Sequence, residues 1–214
     1  INAALENMKV GKKLEIRLAH LDLEAWKKDL LNDRNRIHGI YIQAVKVTAE
    51  RDAKLTELKD IITEKINNPT YTRDGNSCRK ILLFTAFADT AYYLYDNLKD
   101  WAREVLGIHI AVVTGGEKQD KTSLGKADYN QILTNFAPIA KNRVRVRSMP
   151  QEEEIDLLIA TDCISEGQNL QDCDMVINYD IHWNPVRIIQ HFGRIDRINS
   201  RHHMIKMVNF WPTK

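Results

Sequence analysis

The sequence predicts an α/β protein, a parallel β-sheet flanked by helices and preceded by an N-terminal helical segment. Five short apolar runs carry the sheet: ILLF (81–84), IAVV (110–113), LLIA (157–160), VINY (176–179) and IKMVNF (205–210). Their unbroken apolar character is that of parallel strands covered on both faces. The second observation is what lies between the first two runs. The stretch 87–107, FADTAYYLYDNLKDWAREVLG, sets Leu94, Leu98, Trp101 and Val105 on a helical stripe, with Asp89 placed to cap it and Gly107 to stop it. Strands alternating with helices favour a parallel sheet. The third observation is the leading segment, rich in Leu, Ala, Glu and Lys and without strand-like alternation.

Taken in order, residues 1–70 read as a helical linker or appendage, with one helix over about 21–38, another over about 40–67, and Gly39 separating them. Leu21, Trp26, Leu30 and Leu31 share a face in the first; Ala44, Val47, Leu55, Leu58, Ile62 and Ile66 recur at helical intervals in the second. The stretch 67–78, NNPTYTRDGNSC, clusters Asn, Pro, Gly and Ser and reads as a boundary, leaving 71–214 as the sheet domain. Hydrophobic residues are 43% and charged residues 28%, and no run approaches the ~20 apolar residues of a membrane span. Lys and Arg number 31 against 29 Asp and Glu, a net +2, so any nucleic-acid binding must come from local patches. Cys78, Cys163 and Cys173 have neither metal-pair spacing nor an even disulfide set, which fits a reducing cytoplasm. His202 and His203 read as a surface loop with no metal. The chain starts at Ile1, without an initiator methionine or a signal-like start, and reads as part of a longer polypeptide.

Ligands of such sheets collect at the carboxyl ends of strands. The residues there are Thr85, then Thr114, Gly115 and Gly116, then Thr161 and Asp162, then Asp180. In TDCISEGQNLQ (161–171), Gly167 and Asn169 suggest a tight backbone presented to a ligand, with Leu170 as its anchor. Asn184 and Pro185 make a helix start. The helix then carries IQHFGRIDRIN (189–199), which groups Gln190, Gly193, Arg194 and Arg197 within roughly a third of its circumference. Ile188, Phe192 and Ile195 face the other way. An amide and two guanidinium forks therefore converge, in the second to fourth turns, beside a glycine that leaves room, and their partner should be anionic and forked, as phosphate is.

Two further stretches bear on phosphate. GGEKQDKT (115–122) nearly spells a phosphate loop, but Asp120 stands where the second glycine is required, adding bulk and negative charge. No other phosphate loop and no acidic pair closing an apolar strand for Mg²⁺ occurs in the sequence. NRVRVRS (142–148) alternates Arg143, Arg145 and Arg147 with Val144 and Val146. As an extended segment it would either face a polyphosphate or form a solvent-facing hairpin balanced by Glu152, Glu153 and Glu154.

Read together, ILLFTAFADTA, VVTGG, LLIATDCISEGQNLQ, VINYDIHWNP and QHFGRIDRI resemble, in order and spacing, the second RecA-like domain of superfamily-two helicases. Within it the Swi/Snf-type branch, with its bacterial helicase-like proteins, is most similar. The resemblance covers about 79–211. It implies that Arg194 and Arg197, led by Gln190, are arginines that reach the ATP held by a partner RecA-like domain in the same chain, stabilising charge on the phosphoryl oxygens. It implies that Gly167, Asn169 and Gly193 line the nucleotide side. Thr85, Phe87, Gly115, Gly116 and Thr161 are implied contacts to a DNA or RNA backbone. ATP and Mg²⁺ would be held mainly by the partner domain, so this segment alone is expected to be inactive. The 17 residues from Pro138 to Glu154 exceed the usual connection of that family. Two other readings stand beside it: a non-catalytic RecA-like platform for nucleic acid or protein, and a small-molecule α/β enzyme with Asp162 or Asp180 as base. The set Gln190, Arg194 and Arg197 favours the motor, since a platform has no need of three groups converging on phosphate.

Overall fold

The computed structural model describes residues 8–13, 15–115, 119–164, 168–181, 184–198 and 200–211 of the chain. It divides into two compact units, 1–53 and 54–214. The first holds an antiparallel pair, β1 (Lys9–Val10) and β2 (Ile16–Arg17), and helix α1 (Leu23–Ala44). Asp22 caps α1 by accepting from the Ala25 N–H. α1 runs straight through Gly39, where a break was expected. A glycine inside a helix costs only about 1 kcal/mol, too little to end it against continuous flanking turns. The chain leaves the helix instead at Val45, just before Val47 and Thr48, whose branched β-carbons disfavour it.

The second unit opens with α2 (Ala53–Asn67), whose Leu55, Leu58, Ile62 and Ile66 are buried. The sequence groups this helix with the appendage, but its apolar face belongs to the core of the sheet unit. The expected linker folds into a small hairpin, β3 (Thr70–Tyr71) against β4 (Ser77–Cys78), turned at Gly75 with φ 80°. There follow β5 (Ile81–Phe84), α3 (Ala88–Leu106), β6 (His109–Val113), β7 (Lys121–Thr122), α4 (Tyr129–Phe136), β8 (Ile155–Ala160), β9 (Met175–Asn178), α5 (Pro185–Phe192) and β10 (Lys206–Asn209). Each apolar run named above is thus a strand to within two residues. The sheet order is β10-β9-β5-β8-β6-β7, parallel throughout except for the edge strand β7. β5, β8 and β9 lie in the middle, and Leu82, Phe84, Leu158 and Val176 join Ile132, Phe136 and Ile195 in the main core. α3 ends at Gly107, whose φ of 63° is left-handed, as a helix stop requires. Its N-cap is Phe87, with Asp89 in the first turn instead of at the cap.

Three expectations fail for physical reasons. Arg143 does not alternate outward on a strand; Arg143–Arg145 form a short 3-10 turn, with Asn142 left-handed before it. The Arg143 guanidinium is buried and donates to the Asn135 side chain and to the backbone oxygens of Gln151 and Glu153. It therefore folds the 138–154 segment on itself, while Arg145 and Arg147 stay exposed. His202 is not on a surface loop either. It is 5% exposed and near Cys78 and Asp174. The Asp174 carboxylate there already has the Lys65 ammonium at 2.7 Å and the Thr70 hydroxyl, and burial pushes the Cys78 thiol up to about 12. Lastly, α5 ends at Phe192, so Arg194 and Arg197 lie beyond the helix. Ile195 is drawn fully into the core and the Arg194 carbonyl accepts from the Leu170 N–H, and these tertiary ties outweigh continuing the helix through Gly193.

Candidate functional site

Parallel pairing brings the carboxyl ends of β5, β6, β8 and β9 to one edge. The pairing continues past the strands, with Thr85 N–H donating to Ala160, Thr161 N–H to Val113 and Tyr179 N–H to Phe84. The threonine hydroxyls, however, turn inward. Thr85 is 3% exposed and donates to Asp180, which also accepts from the Ala86 N–H and meets the Lys54 ammonium at 3.2 Å. Thr161 is 8% exposed and donates to the Thr114 carbonyl at 2.9 Å. A hydroxyl buried at a strand end must find its partner locally, because leaving it unpaired costs about 1–3 kcal/mol. The structure therefore makes Thr85 and Thr161 side chains that knit the edge together. Asp180 is tied into the same network, which removes it as a free base.

Phe87, by contrast, is 68% exposed at the head of α3, an aromatic face open to stacking. Gly115 has a φ of 63°, and a Cβ on it would lie 2.5 Å from the Cβ of Cys163. Glycine is needed there by the chain itself, so that the turn after β6 can close on the segment after β8. Asp120, the residue that spoils the phosphate-loop pattern, accepts from the Thr114 N–H at 3.1 Å and so caps β6. Gly116 and Gly167 lie outside the described residues. The Asn169 side chain accepts from the Gln171 N–H and shapes a turn.

Beyond the edge, Asn184 accepts from the Val186 N–H and, with Pro185, starts α5 as its residue types demand. Gln190 is half-buried on that helix. Gly193, its C-cap, is exposed and αR; a Cβ there would make an ordinary 3.4 Å contact, so nothing in the chain itself requires glycine. Arg194 and Arg197 are half-buried, and among the described residues neither guanidinium meets a carboxylate. Arg197 donates to the Gln168 carbonyl at 3.3 Å, while its Nε is buried with no partner among the described residues. Lys141 reaches the side chain of the same Gln168, and burial, with Arg197 nearby, lowers its pKa. Two cations thus gather at one residue, an arrangement that suits a multiply charged anion.

The residue that sequence reading missed is His191. Its ring stacks on Phe84, with centroids 3.7 Å apart and an 8° tilt. Nδ1 is 2.8 Å from Asn178 Oδ1, and Nε2 is 2.8 Å from Asp162 Oδ1. Arg187 also approaches Asp162, at 3.4 Å. The available signal was spacing: His191 follows Ile188 by three, which puts a titratable ring on the inward face of α5.

A family model described as the helicase conserved C-terminal domain matches residues 53–199. The uncharacterized ATP-dependent helicase YqhH of Bacillus subtilis is 34% identical over 121 residues, covering 56% of this chain and 17% of that protein. The ATP-dependent RNA helicase DHX58 of Mus musculus is 22% identical over 177 residues, 80% of this chain and 22% of its own length. The chain thus spans less than a quarter of either relative. Among solved structures, the Pyrococcus furiosus Hef helicase domain matches with a TM-score of 0.48 and 20% identity, over 85% of this chain and 31% of that one.

Proposed function

Because the chain belongs to the helicase conserved C-terminal domain family, we propose that it is the C-terminal motor domain of an ATP-dependent nucleic-acid helicase or translocase of the Swi/Snf-type branch, acting in the cytoplasm. It supplies half of an ATPase site, and a first RecA-like domain in the same polypeptide supplies the other half. ATP with Mg²⁺, held mainly by that first domain, provides the phosphoryl group whose hydrolysis drives movement along DNA or RNA.

The observation that carries the reading is the state of Arg194 and Arg197, two guanidinium groups without a carboxylate among the described residues. The buried Nε of Arg197, without a partner among the described residues, fits an anionic group brought by a further component. These forks hold the phosphate chain, place donors where negative charge develops, and need no reorganisation because their backbone is pinned by Leu170 and Ile195. Gln190 leads the set. Exposed Phe87 and the backbone after β6 and β8 are the surfaces offered to nucleic acid. On α1, the exposed Leu30, Ile37, Ile40 and Tyr41 offer an apolar face to the partner domain.

The test is Arg197→Ala in the complete polypeptide. Nucleic-acid-stimulated ATP hydrolysis should fall by ~10³-fold or more. Activity within a few-fold of wild type would rule out the arginine-finger role and favour the non-catalytic platform.

A further inference from the structure

Cys78 precedes β5, Asp174 precedes β9 and His202 precedes β10, and parallel pairing sets the amino ends of these strands side by side. This is the edge opposite the carboxyl ends considered above. His202 is held there through backbone: it bridges Thr72 in antiparallel register, and the Arg73 N–H donates to the Arg201 carbonyl at 2.8 Å. The Cys78, Asp174 and His202 residues are 4%, 2% and 5% exposed. Cys78 Sγ, a carboxylate oxygen of Asp174 and a ring nitrogen of His202 all lie within 4.8 Å of one another. Thiolate, carboxylate and imidazole are the ligand types that Zn²⁺ takes.

The ring supplies a second, independent observation. Both nitrogens of His202 are buried, and neither has a hydrogen-bond partner among the described residues. A neutral imidazole carries one donor and one acceptor, and burying both unpaired is rare because the lost bonds to water are not replaced. Asp174 is the opposite case. Lys65 Nζ is 2.7 Å from its Oδ1, the Cys78 thiol sulfur is 3.2 Å from the same oxygen, and the Thr70 hydroxyl donates to Oδ2. A carboxylate has about four acceptor positions, so an ion that replaces the thiol proton leaves the Lys65 and Thr70 bonds in place. There they orient the carboxylate, as outer-shell partners of a metal ligand do. Cys78 and His202 both line a cavity of about 490 Å³, which gives an ion its way in.

We propose that Cys78, Asp174 and His202 form a structural Zn²⁺ site that ties the β3–β4 hairpin to the entries of β9 and β10. On binding, the Cys78 S–H bond breaks, the sulfur electron pair forms the Zn–S bond, and the proton leaves to solvent. His202 gives a ring nitrogen, Asp174 an oxygen, and water from the cavity the fourth ligand. Bonds of about 2.3 Å to sulfur and about 2.0–2.2 Å to nitrogen and oxygen put tetrahedral ligands roughly 3.5 Å apart, so the groups close by about 1 Å. The Lys65 ammonium opposes the charge of the ion, so the dissociation constant should be on the order of micromolar, weaker than a site of four protein ligands. The site does not depend on the motor reading.

The test is metal binding by the complete polypeptide, stripped with a chelator and titrated with ZnCl₂ or CoCl₂ in excess Mg²⁺, which fills oxygen-only sites. Cys78→Ser and His202→Asn are measured beside it. Wild type should take up one Zn²⁺ more per chain than either variant, and its melting midpoint should rise with Zn²⁺ by more than theirs. Co²⁺ should give a thiolate-to-metal charge-transfer absorption that Cys78→Ser reduces. Equal Zn²⁺ uptake by wild type and a folded variant, or a Co²⁺ spectrum that Cys78→Ser leaves unchanged, overturns the site. Circular dichroism identifies a variant that has lost its fold, and either variant alone suffices for the uptake comparison.

Discussion

Gly115 shows how much one residue decides at this site. Its left-handed φ already disfavours any side chain by about 1–2 kcal/mol. The 2.5 Å approach of a Cβ to Cys163 adds a clash with a neighbour attached directly to backbone. Gly115→Ala should therefore cost about 2 kcal/mol or more in urea denaturation, with the loss centred on the turns after β6 and β8. His191 makes a residue-scale prediction about pH. Burial lowers its pKa from the ordinary 6.5, working against the hydrogen bond and charge of Asp162. The unfolded chain then takes up a proton near that value which the folded chain resists, so stability is present above 6.5 and is lost as pH falls below it. Denaturation midpoints at about pH 7.5 and about pH 5.5 should differ more in wild type than in His191→Gln. Both residues are plain in the sequence, but only the site geometry assigns these roles, since a glycine after a strand and a histidine inside a basic motif have many commoner explanations.

At the scale of elements, α2 is the informative helix. Its apolar spacing was legible, but neither its start, read at about 40 and found at Ala53, nor its allegiance was. Leu55, Leu58 and Ile62 are each 1% exposed or less, and burial of such side chains is worth about 1.5–3 kcal/mol apiece. Lys65, on the same helix, pairs with Asp174 at 2.7 Å, both side chains being less than a tenth exposed. Lys65→Met should destabilise the protein by about 3–5 kcal/mol in chemical denaturation, because an uncompensated carboxylate stays behind in the interior. A much smaller loss would mean that Asp174 finds another partner or a proton. The 138–154 segment makes the opposite point. Its Arg-Val alternation has the period of a strand, yet three carbonyl or amide oxygens converge on Arg143 and coil the stretch instead. Alternation specifies a strand only when a sheet edge is there to pair with.

For the whole molecule, the prediction concerns incompleteness. A polypeptide of residues 54–214, which has its own core, should unfold cooperatively, yet hydrolyse no ATP above background until it is joined to the rest of the protein. Hydrolysis by the isolated segment in a coupled phosphate-release assay would contradict the half-site view. Sequence alone determined the strand runs, the caps at Asn184 and Gly107, the parallel α/β class and the family motifs, because these depend on local propensity and on burial patterns a few residues long. Only the tertiary structure decided that Thr85 and Thr161 face inward, that α5 stops before its arginines, that His202 is buried and that His191 bridges Phe84, Asn178 and Asp162. Each of these outcomes turns on which buried polar group meets which partner across the sheet, and that pairing is set by contacts dozens of residues apart that no local pattern encodes.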